Sequence, residues 1–318
     1  MQNFEARHAL LRESLFSLPF TIGSANQKGA NTEHNNQDSV SIIAEKDILV
    51  AVVCDGCSGA SSLGKNKTSI NEVGAHIQSA LAVRLLYDKV KETESVIGLD
   101  KYLTDALLTA YRTILEVLVG HNATDREHLL REMLMATLIA VVITKESWIV
   151  LHCGDGMYAV NDVFEELDDH SGVYLTGSLS VISKNGGSDD RFDIRKIAEG
   201  QSSGLNNLLI ASDGICDYDE CGGLPDMLSN LDENRTYTRG YDGAMGFIRE
   251  FRLRVAYMAQ EVTNMNTHDD RTLVMIRRIP EIPEATGKIE QLDTFHTTTM
   301  ITPDTAISKE VQYDKHLA

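Results

Sequence analysis

The order of the predicted elements indicates an α+β fold in the form of a layered sandwich. Strand patterns come first, two helix patterns follow, and then come more strands, one or two further helices and a final strand. Runs of strands separated by paired helices suit a layered sandwich better than the strict alternation of a doubly wound sheet. At 318 residues the chain is long enough for one large domain with a substantial core.

The first half of the chain predicts three strands and two helices. The strands are expected at 20–23, 39–44 and 47–54, where apolar and β-branched residues cluster. Apolar residues then recur about every four positions in two stretches, which is typical of helices that bury one stripe. They are Val73, Ile77, Leu81 and Leu85 within 69–93, and then Leu103, Leu107, Tyr111, Ile114 and Leu118.

The second half returns to strand patterns. Six strands are expected here, at 134–144, 147–153, 157–160, 173–182, 206–212 and 271–278. The stretch 183–201 is polar and contains glycine, so we expect a surface loop there. Two helices are expected near 223–231 and 243–263, between the last two strands.

The ends of the chain differ from its centre. Beyond Pro280 the periodicity is lost and further prolines follow, which is typical of a tail. We therefore expect a lead-in at 1–20, one domain at 21–279 and a tail at 280–318.

Charge and composition exclude several classes of partner. The chain has 29 basic and 47 acidic residues, a net charge of −18, which is unfavourable for binding nucleic acid or an anionic membrane. The longest nearly apolar run, 133–144, is too short to span a bilayer, and the first residues lack the pattern of a signal peptide. Five cysteines without a repeated spacing favour a reducing compartment. We expect a cytoplasmic protein without nucleic-acid or membrane partners.

Aspartates stand where predicted strands meet loops. Asp38 and the pair Asp269 and Asp270 precede strands, whereas Asp55 and Asp213 follow them. Carboxylates that are far apart in sequence can converge at strand ends, which is how a site for hard cations is built. Carboxylates that share a site repel each other unless a metal neutralises them. The pattern predicts a centre with more than one metal ion, and hence an enzyme.

Five motifs, in this order along the chain, carry a resemblance to a known family. They are Asn36-Gln37-Asp38, Val53-Cys54-Asp55-Gly56-Cys57-Ser58-Gly59, Cys153-Gly154-Asp155-Gly156, Ile210-Ala211-Ser212-Asp213-Gly214-Ile215-Cys216-Asp217 and Asp269-Asp270-Arg271-Thr272-Leu273-Val274. Over about Gly23 to Arg278 the chain resembles the metal-dependent (PPM, type 2C) protein serine/threonine phosphatases. The resemblance implies a four-layer α-β-β-α sandwich, with two central antiparallel sheets flanked by helix pairs.

The resemblance also implies a site for two Mn²⁺ or Mg²⁺ ions. Asp55 would bridge the two ions, and the carbonyl of Gly56 would bind one of them. Asp213 and Asp269 would complete the shell of the other ion, while Asp38 would hold metal-bound water. A metal-bridging water or hydroxide would then attack phosphoserine or phosphothreonine of a protein substrate without a covalent phospho-enzyme.

Other positions follow the family less closely. Asp155 stands where members carry a ligand for a third, weaker ion, and Lys28 is the basic residue nearest the place where they bind the substrate phosphate. Gln37 replaces the glutamate of many members, and Cys57 replaces a histidine proposed in some of them as a proton donor. Asp270 replaces the common asparagine, so either aspartate of this last pair is a candidate ligand.

Two alternatives come from the residues themselves, and a third comes from a departure from the pattern of the family. The segment 59–66 nearly spells the phosphate-binding loop G-x-x-x-x-G-K-[ST] of an NTPase, but Asn66 lacks the hydroxyl that would bind Mg²⁺. Cys54 and Cys57 could begin a zinc or redox site, although the remaining cysteines are poorly spaced as partners. The absence of an arginine-type phosphate anchor leaves a non-catalytic regulatory or binding module, a pseudophosphatase, as the second hypothesis. The first hypothesis, which the resemblance implies, is a metal-dependent protein phosphatase.

Overall fold

Ten strands form two antiparallel sheets in the part of the chain that the structure describes. This computed structural model describes residues 16–28, 36–57, 71–167, 174–179, 193–215, 255 and 270–279. The strands are β1 Phe20–Gln27, β2 Ser39–Glu45, β3 Ile48–Cys54, β4 Leu138–Ile143, β5 Ser147–Cys153, β6 Gly156–Val160, β7 Val163–Leu167, β8 Arg195–Gln201, β9 Asn207–Ala211 and β10 Arg271–Arg278. Sheet I has the order β1-β10-β9-β6-β7, and sheet II has the order β2-β3-β4-β5-β8.

Alternation along the central strands explains the layers. In β3, Val50, Val52 and Cys54 point into one buried apolar cluster, which they share with the helices. Their neighbours Leu49 and Ala51 point to the other face, into a cluster built from both sheets. Because both faces of β3 are covered, the strand is apolar throughout and lies inside sheet II.

Three helices cover the outer face of sheet II. They are α1 Asn71–Thr93, α2 Leu99–Val119 and α3 Ala123–Met133. Of the stripe predicted for the second helix, Leu103, Leu107 and Tyr111 are buried, whereas Ile114 is half-buried and Leu118 is exposed, and Leu115 completes the buried face instead. The third helix begins at Asn122, whose side chain accepts hydrogen bonds from the backbone N–H groups of Thr124 and Asp125. None of the described helices combines the length and apolar character needed to cross a bilayer.

Sheet I also has a covered outer face. Leu209, Leu273 and Met275 pack there with Val255, which is helical and lies within the helix predicted at 243–263. A Cβ atom on Gly23 would lie 2.7 Å from Cγ2 of Val255, so the glycine allows this close packing. The layered α+β fold with two central antiparallel sheets is confirmed. The rest of the helices predicted at 223–231 and 243–263 lies outside the described residues.

Most predicted strands and both early helices are confirmed, but some details were wrong. The strand predicted at 173–182 is a short 3₁₀ helix at Leu175–Leu179, and the loop predicted at 183–201 contains β8. The patterns also missed β7 and α3. The strands β7 and β8 lie at sheet edges, where few side chains are buried, and α3 buries fully only Leu130. None of these three elements therefore has a strong apolar period.

The domain boundaries stay predictions. The chain divides into two units, 1–281 and 282–318, and every described residue belongs to the first. Of the predicted lead-in at 1–20, residues 16–20 are described, and Phe20 already begins β1. The predicted tail at 280–318 lies outside the described residues.

Candidate metal centre

Asp55 lies directly after β3, in a loop held mainly by backbone hydrogen bonds. Its N–H donates to Oγ1 of Thr137 at 3.1 Å, and its carbonyl accepts from the N–H of Thr137 at 2.8 Å. The next two N–H groups, of Gly56 and Cys57, donate to the carbonyls of Gln37 at 3.1 Å and of Met135 at 3.2 Å. The loop is thereby fixed between two neighbouring segments of chain.

Gly56 is required by the space around it. A Cβ atom at this position would lie 2.6 Å from the carbonyl oxygen of Asn71 and 3.0 Å from that of Gln37. The side chain of Asn71 adds a hydrogen bond from Nδ2 to the carbonyl of Cys57, at 2.5 Å. The start of α1 therefore closes over the loop. The strand predicted at 134–144 begins only at Leu138, because the residues before it pair with this loop instead, through a bridge between Gly56 and Ala136.

Asp38 precedes β2 and reaches from sheet II to the end of sheet I. It is only 1% exposed, and its Oδ2 accepts a hydrogen bond of 2.7 Å from Oγ of Ser212, next to Asp213. The same hydroxyl accepts from the N–H of Thr272 at 2.9 Å, so its proton is free for Asp38. Burial raises the pKa of Asp38 to about 6, because the charged form loses its hydration. The other oxygen, Oδ1, is buried and accepts no hydrogen bond from the described residues.

Asp155 lies where the chain crosses from sheet II to sheet I. The strand β5 ends at Cys153 and β6 begins at Gly156, and the glycines on either side of Asp155 have φ of +106° and +127°. A Cβ on Gly154 would meet Cβ of Thr137 at 2.8 Å, and one on Gly156 would meet the carbonyl of Ala211 at 2.7 Å. Positive φ and this crowding both favour glycine, and together they place Asp155 between the two sheets.

Asp213 follows β9 and begins a single 3₁₀ turn, Asp213–Ile215. A Cβ on Gly214 would lie 2.0 Å from the carbonyl oxygen of Asp270, so this turn packs directly against the residue before β10. Asp270 is 2% exposed, and its Oδ2 accepts a hydrogen bond of 2.6 Å from the backbone N–H of Gln37. The ends of β9 and β10 thus contact the segment that carries Asp38.

Three of the predicted carboxylates meet at this point. One oxygen each of Asp55, Asp155 and Asp213 lies within 4.8 Å of the other two. Carboxylate oxygens are the ligands that hard divalent cations such as Mg²⁺ take in proteins, so a cluster of this kind is where such an ion would bind. Three carboxylates together need a cation to offset their repulsion, and the unused buried oxygen of Asp38 is a further acceptor for a bound water. The residues present therefore fit a divalent metal ion.

The remaining predicted positions are less completely placed. Lys28 directly follows β1 and is exposed, and Asn26, two residues before it, donates from Nδ2 to the carbonyl of Asp38 at 3.2 Å. The segment 58–70, with the whole of the stretch 59–66 that nearly spells a phosphate-binding loop, lies outside the described residues, as does Asp269. Cys54 and Cys57 are both in the thiol form and not in a disulfide.

Cys57, at the position where some members of the resembled family have a histidine, has an uncharged side chain as its partner. Its thiol contacts the hydroxyl of Tyr174, and burial raises the pKa of both groups. Asp55 and Asp155 act in the same direction on both pKa values, because a negative charge nearby disfavours a second one. The thiol is therefore protonated at neutral pH, unlike the activated cysteine of a redox site.

Ser212 and Thr137 are contacts of the centre that the sequence patterns did not identify, whereas Asp270 was already one of two candidate ligands. Each lies within two residues of a predicted motif aspartate or directly before β4, but only the fold brings the hydroxyl of Ser212 to Asp38. The one signal in the sequence is their position at strand ends, where a hydroxyl or carboxylate can form a hydrogen bond to a neighbouring strand end.

The two facing sheets and the carboxylates at their ends define a metal-binding sandwich protein. The sequence profile described as protein phosphatase 2C matches residues 27–265, and the chain belongs to this family. No curated protein matches the chain by sequence.

Solved structures of similar proteins include several bacterial phosphatases. A bacterial serine phosphatase is 14% identical, with 81% of this chain and 97% of that chain covered and a TM-score of 0.48. The catalytic domain of serine threonine protein phosphatase PstP, solved with 2 manganese ions, is 16% identical, with 81% and 97% covered and a TM-score of 0.45. The serine/threonine phosphatase Stp1 from Staphylococcus aureus is 15% identical, with 83% and 96% covered and a TM-score of 0.44.

Proposed function

We propose that this protein is a metal-dependent protein phosphatase that hydrolyses phosphoserine and phosphothreonine. The observation that carries the proposal is the meeting of Asp55, Asp155 and Asp213 in a chain of the protein phosphatase 2C family. These oxygens come from three separate strand ends, two in sheet II and one in sheet I. The fold joins them by specific packing at four glycines, which supports a built site over a chance cluster of surface acids.

Each residue has a proposed role toward two Mn²⁺ or Mg²⁺ ions. Asp55 would be shared by the two ions, the carbonyl of Gly56 would hold one, and Asp213 and Asp269 would hold the other. Asp155 belongs to an optional third ion. When bound, the ions supply charge that stabilises the transferred phosphoryl group and lowers the pKa of water for attack on phosphorus.

The protein's own groups orient this chemistry. Oδ2 of Asp38 accepts a hydrogen bond from the hydroxyl of Ser212, which leaves Oδ1 as an acceptor for a water molecule at the centre. Asp270 already accepts from the N–H of Gln37, so Asp269 is the better candidate for the ligand of the pair. We propose Lys28 at the end of β1 as the contact to the substrate phosphate.

Metal-dependent turnover tests the proposal. We expect hydrolysis of p-nitrophenyl phosphate and of a phosphothreonine peptide with Mn²⁺, and none in EDTA. Asp55→Asn and Asp213→Asn should each lower kcat/KM by more than about 100-fold, since even the partners of metal ligands are worth about 10–100-fold. Asp88→Asn is the matched control, because Asp88 is an exposed α1 residue that pairs with Arg84. Full activity of the wild-type protein in EDTA would refute the proposal.

The second candidate is a non-catalytic member of the same family. Gln37 favours it, because its buried amide stands where many members have a carboxylate, and the centre then carries one charge fewer. Calorimetry separates the two candidates. Binding of Mn²⁺ without turnover of either substrate would identify the non-catalytic protein.

The net charge of the chain indicates which phosphorylated segments it would prefer. A net charge of −18 favours a phosphorylated segment that is neutral or basic over an acidic one. A cytoplasmic location stays a prediction. Comparing kcat/KM on phosphopeptides with basic and with acidic flanks tests the first point, and the difference should shrink as salt is added.

A further inference from the structure

A buried polar chain links the two long helices to the Asp55 loop. Gln78 of α1 is fully buried, and its Nε2 donates to the carbonyl of Thr137 at 2.8 Å and to that of Ala136 at 3.3 Å. Its Oε1 accepts a hydrogen bond of 2.8 Å from the hydroxyl of Tyr111 in α2, which is also fully buried. Both polar ends of the amide are therefore satisfied inside an otherwise apolar cluster.

The orientation of this amide has only one solution. The two backbone carbonyls can only accept, so Nε2 of Gln78 must face them and Oε1 must face Tyr111. The tyrosine hydroxyl must then donate, and burial raises its pKa and keeps it protonated. The two carbonyls set the direction of the amide, the hydrogen bond from Tyr111 holds it in that direction, and the amide in turn holds the carbonyls of residues 136 and 137.

The segment held by Gln78 contacts two parts of the proposed centre. Thr137 exchanges hydrogen bonds with the N–H and C=O groups of Asp55. Its Cβ also packs against Gly154, next to Asp155, at a point where no side chain would fit. A shift of this segment would therefore move two carboxylates of the cluster at once.

We propose that Gln78 is a positioning residue of the metal centre, with Tyr111 as the group that orients it. The proposal rests on the proposed function only in taking the cluster as the metal site. Gln78 touches neither metal nor substrate. It acts by holding the backbone of residues 136–137, which in turn keeps Asp55, Gly56 and Asp155 in position to bind the ions.

The test compares Gln78→Met and Tyr111→Phe with Thr104→Val. Methionine keeps the length of the side chain but removes both polar groups, and phenylalanine removes a single oxygen atom. Thr104 of α2 is the matched control, since its buried hydroxyl accepts from the N–H of Ile194 and donates to the carbonyl of Asp100, and no described contact joins it to the centre. All three variants lose buried hydrogen bonds from the same helix pair.

Two measurements on these variants do not depend on turnover. We expect Gln78→Met to raise the Kd of Mn²⁺ by about tenfold or more, and Tyr111→Phe to raise it less, because outer partners of metal ligands are worth about 10–100-fold in affinity. In the metal-free protein, amide hydrogen exchange at residues 55–57 should become faster in both. Thr104→Val should lower the melting temperature without changing either quantity.

The outcomes separate this inference from the proposed function. If Gln78→Met and Tyr111→Phe lose stability as Thr104→Val does but keep the wild-type Kd and exchange rates, Gln78 is merely structural and the inference is overturned. Tyr111→Phe keeps the test decisive if Gln78→Met does not fold. Wild-type protein that binds Mn²⁺ but hydrolyses nothing contradicts only the proposed function, since the affinities still report on Gln78.

Discussion

The two halves of the candidate centre are held by different kinds of hydrogen bond. On the sheet II side, the loop after β3 is fixed mainly by backbone groups, from Asp55 to Cys57. On the sheet I side, side chains make the links, from Ser212 to Asp38 and from Asp270 to the N–H of Gln37. Substitution can delete side-chain links one at a time, whereas backbone links yield only to steric displacement. The two halves should therefore respond to different mutations.

Steric displacement should have the largest effect, and it can be compared between the halves. A Cβ at Gly214 would lie 2.0 Å from the carbonyl of Asp270, and one at Gly56 would lie 2.6 Å from that of Asn71. Since backbone cannot yield like a flexible side chain, we expect Gly214→Ala to lower the free energy of unfolding by about 3 kcal/mol and Gly56→Ala by about 2 kcal/mol. Urea denaturation in EDTA measures both without a metal contribution.

Gly204→Ala is the control for this pair, because among the described residues no atom beyond its chain neighbours lies within 4 Å of the added Cβ. It should leave the free energy of unfolding nearly unchanged. Equal stability of Gly214→Ala and Gly204→Ala would mean that the close approach of the turn to β10 is not a constraint in solution.

Metal binding should be the next largest effect, because an ion joins both halves. At a Mn²⁺ concentration 100 times its Kd, binding should add about 2.7 kcal/mol to the free energy of unfolding. Asp55→Asn removes a ligand from sheet II and Asp213→Asn one from sheet I, and each should abolish most of this gain. Thermal unfolding with and without Mn²⁺ checks it. Asp88→Asn should retain the full gain, and a gain retained by Asp55→Asn as well would place the ion elsewhere.

Much of the fold could be predicted from the sequence where an element has either a continuous run of apolar residues or a helical apolar period. The strands β3 and β4 and the helices α1 and α2 meet this condition, and their predicted positions agree with the structure to within a few residues. Edge strands such as β7 have one half-buried face, so their pattern is too weak. The start of β4 was placed four residues too early, since an apolar run does not show where pairing changes from a strand to the Asp55 loop.

The centre was predictable in its acidic members but not in its support. Aspartates beside glycines at strand ends are visible in the sequence, and Asp55, Asp155 and Asp213 do meet. Gln78 lies in the middle of a helix and Ser212 at the end of a strand, where polar residues are common and carry no signal of their own. Their contacts link residues up to 174 positions apart, so only the folded arrangement shows them.

Deletion of one side-chain link should have a smaller effect, on the sheet I half. Ser212→Ala removes the donor to Asp38 and the acceptor of the Thr272 N–H, and we expect a loss of about 2 kcal/mol, since hydrogen bonds to charged groups are worth about 1.5–3 kcal/mol. The Kd of Mn²⁺ should rise about tenfold, as for other outer partners of a metal site. Denaturation and calorimetry on one preparation give both values.

The matched control for this deletion is Ser202→Ala. Ser202 is also buried, and its hydroxyl donates to the carbonyl of Thr144 at 2.8 Å, at the opposite end of β5 from Asp155. It should lower stability by about 1 kcal/mol and leave the Kd unchanged. If both serine variants weakened Mn²⁺ binding equally, the effect would report general loosening of the fold and not the link to Asp38.

The smallest effect is expected from the side-chain link between Thr137 and the N–H of Asp55, in the sheet II half. Thr137→Val removes the acceptor of the Asp55 N–H, but the backbone bond from the Thr137 N–H to the Asp55 carbonyl remains. We expect a loss of about 1 kcal/mol and a rise in the Kd of Mn²⁺ of no more than about threefold, as for one ordinary hydrogen bond. Thr137→Ser keeps the hydroxyl and should restore the affinity. A loss of affinity in Thr137→Val larger than that in Ser212→Ala would reverse the comparison, because side chains would then hold the Asp55 loop as firmly as they hold Asp38.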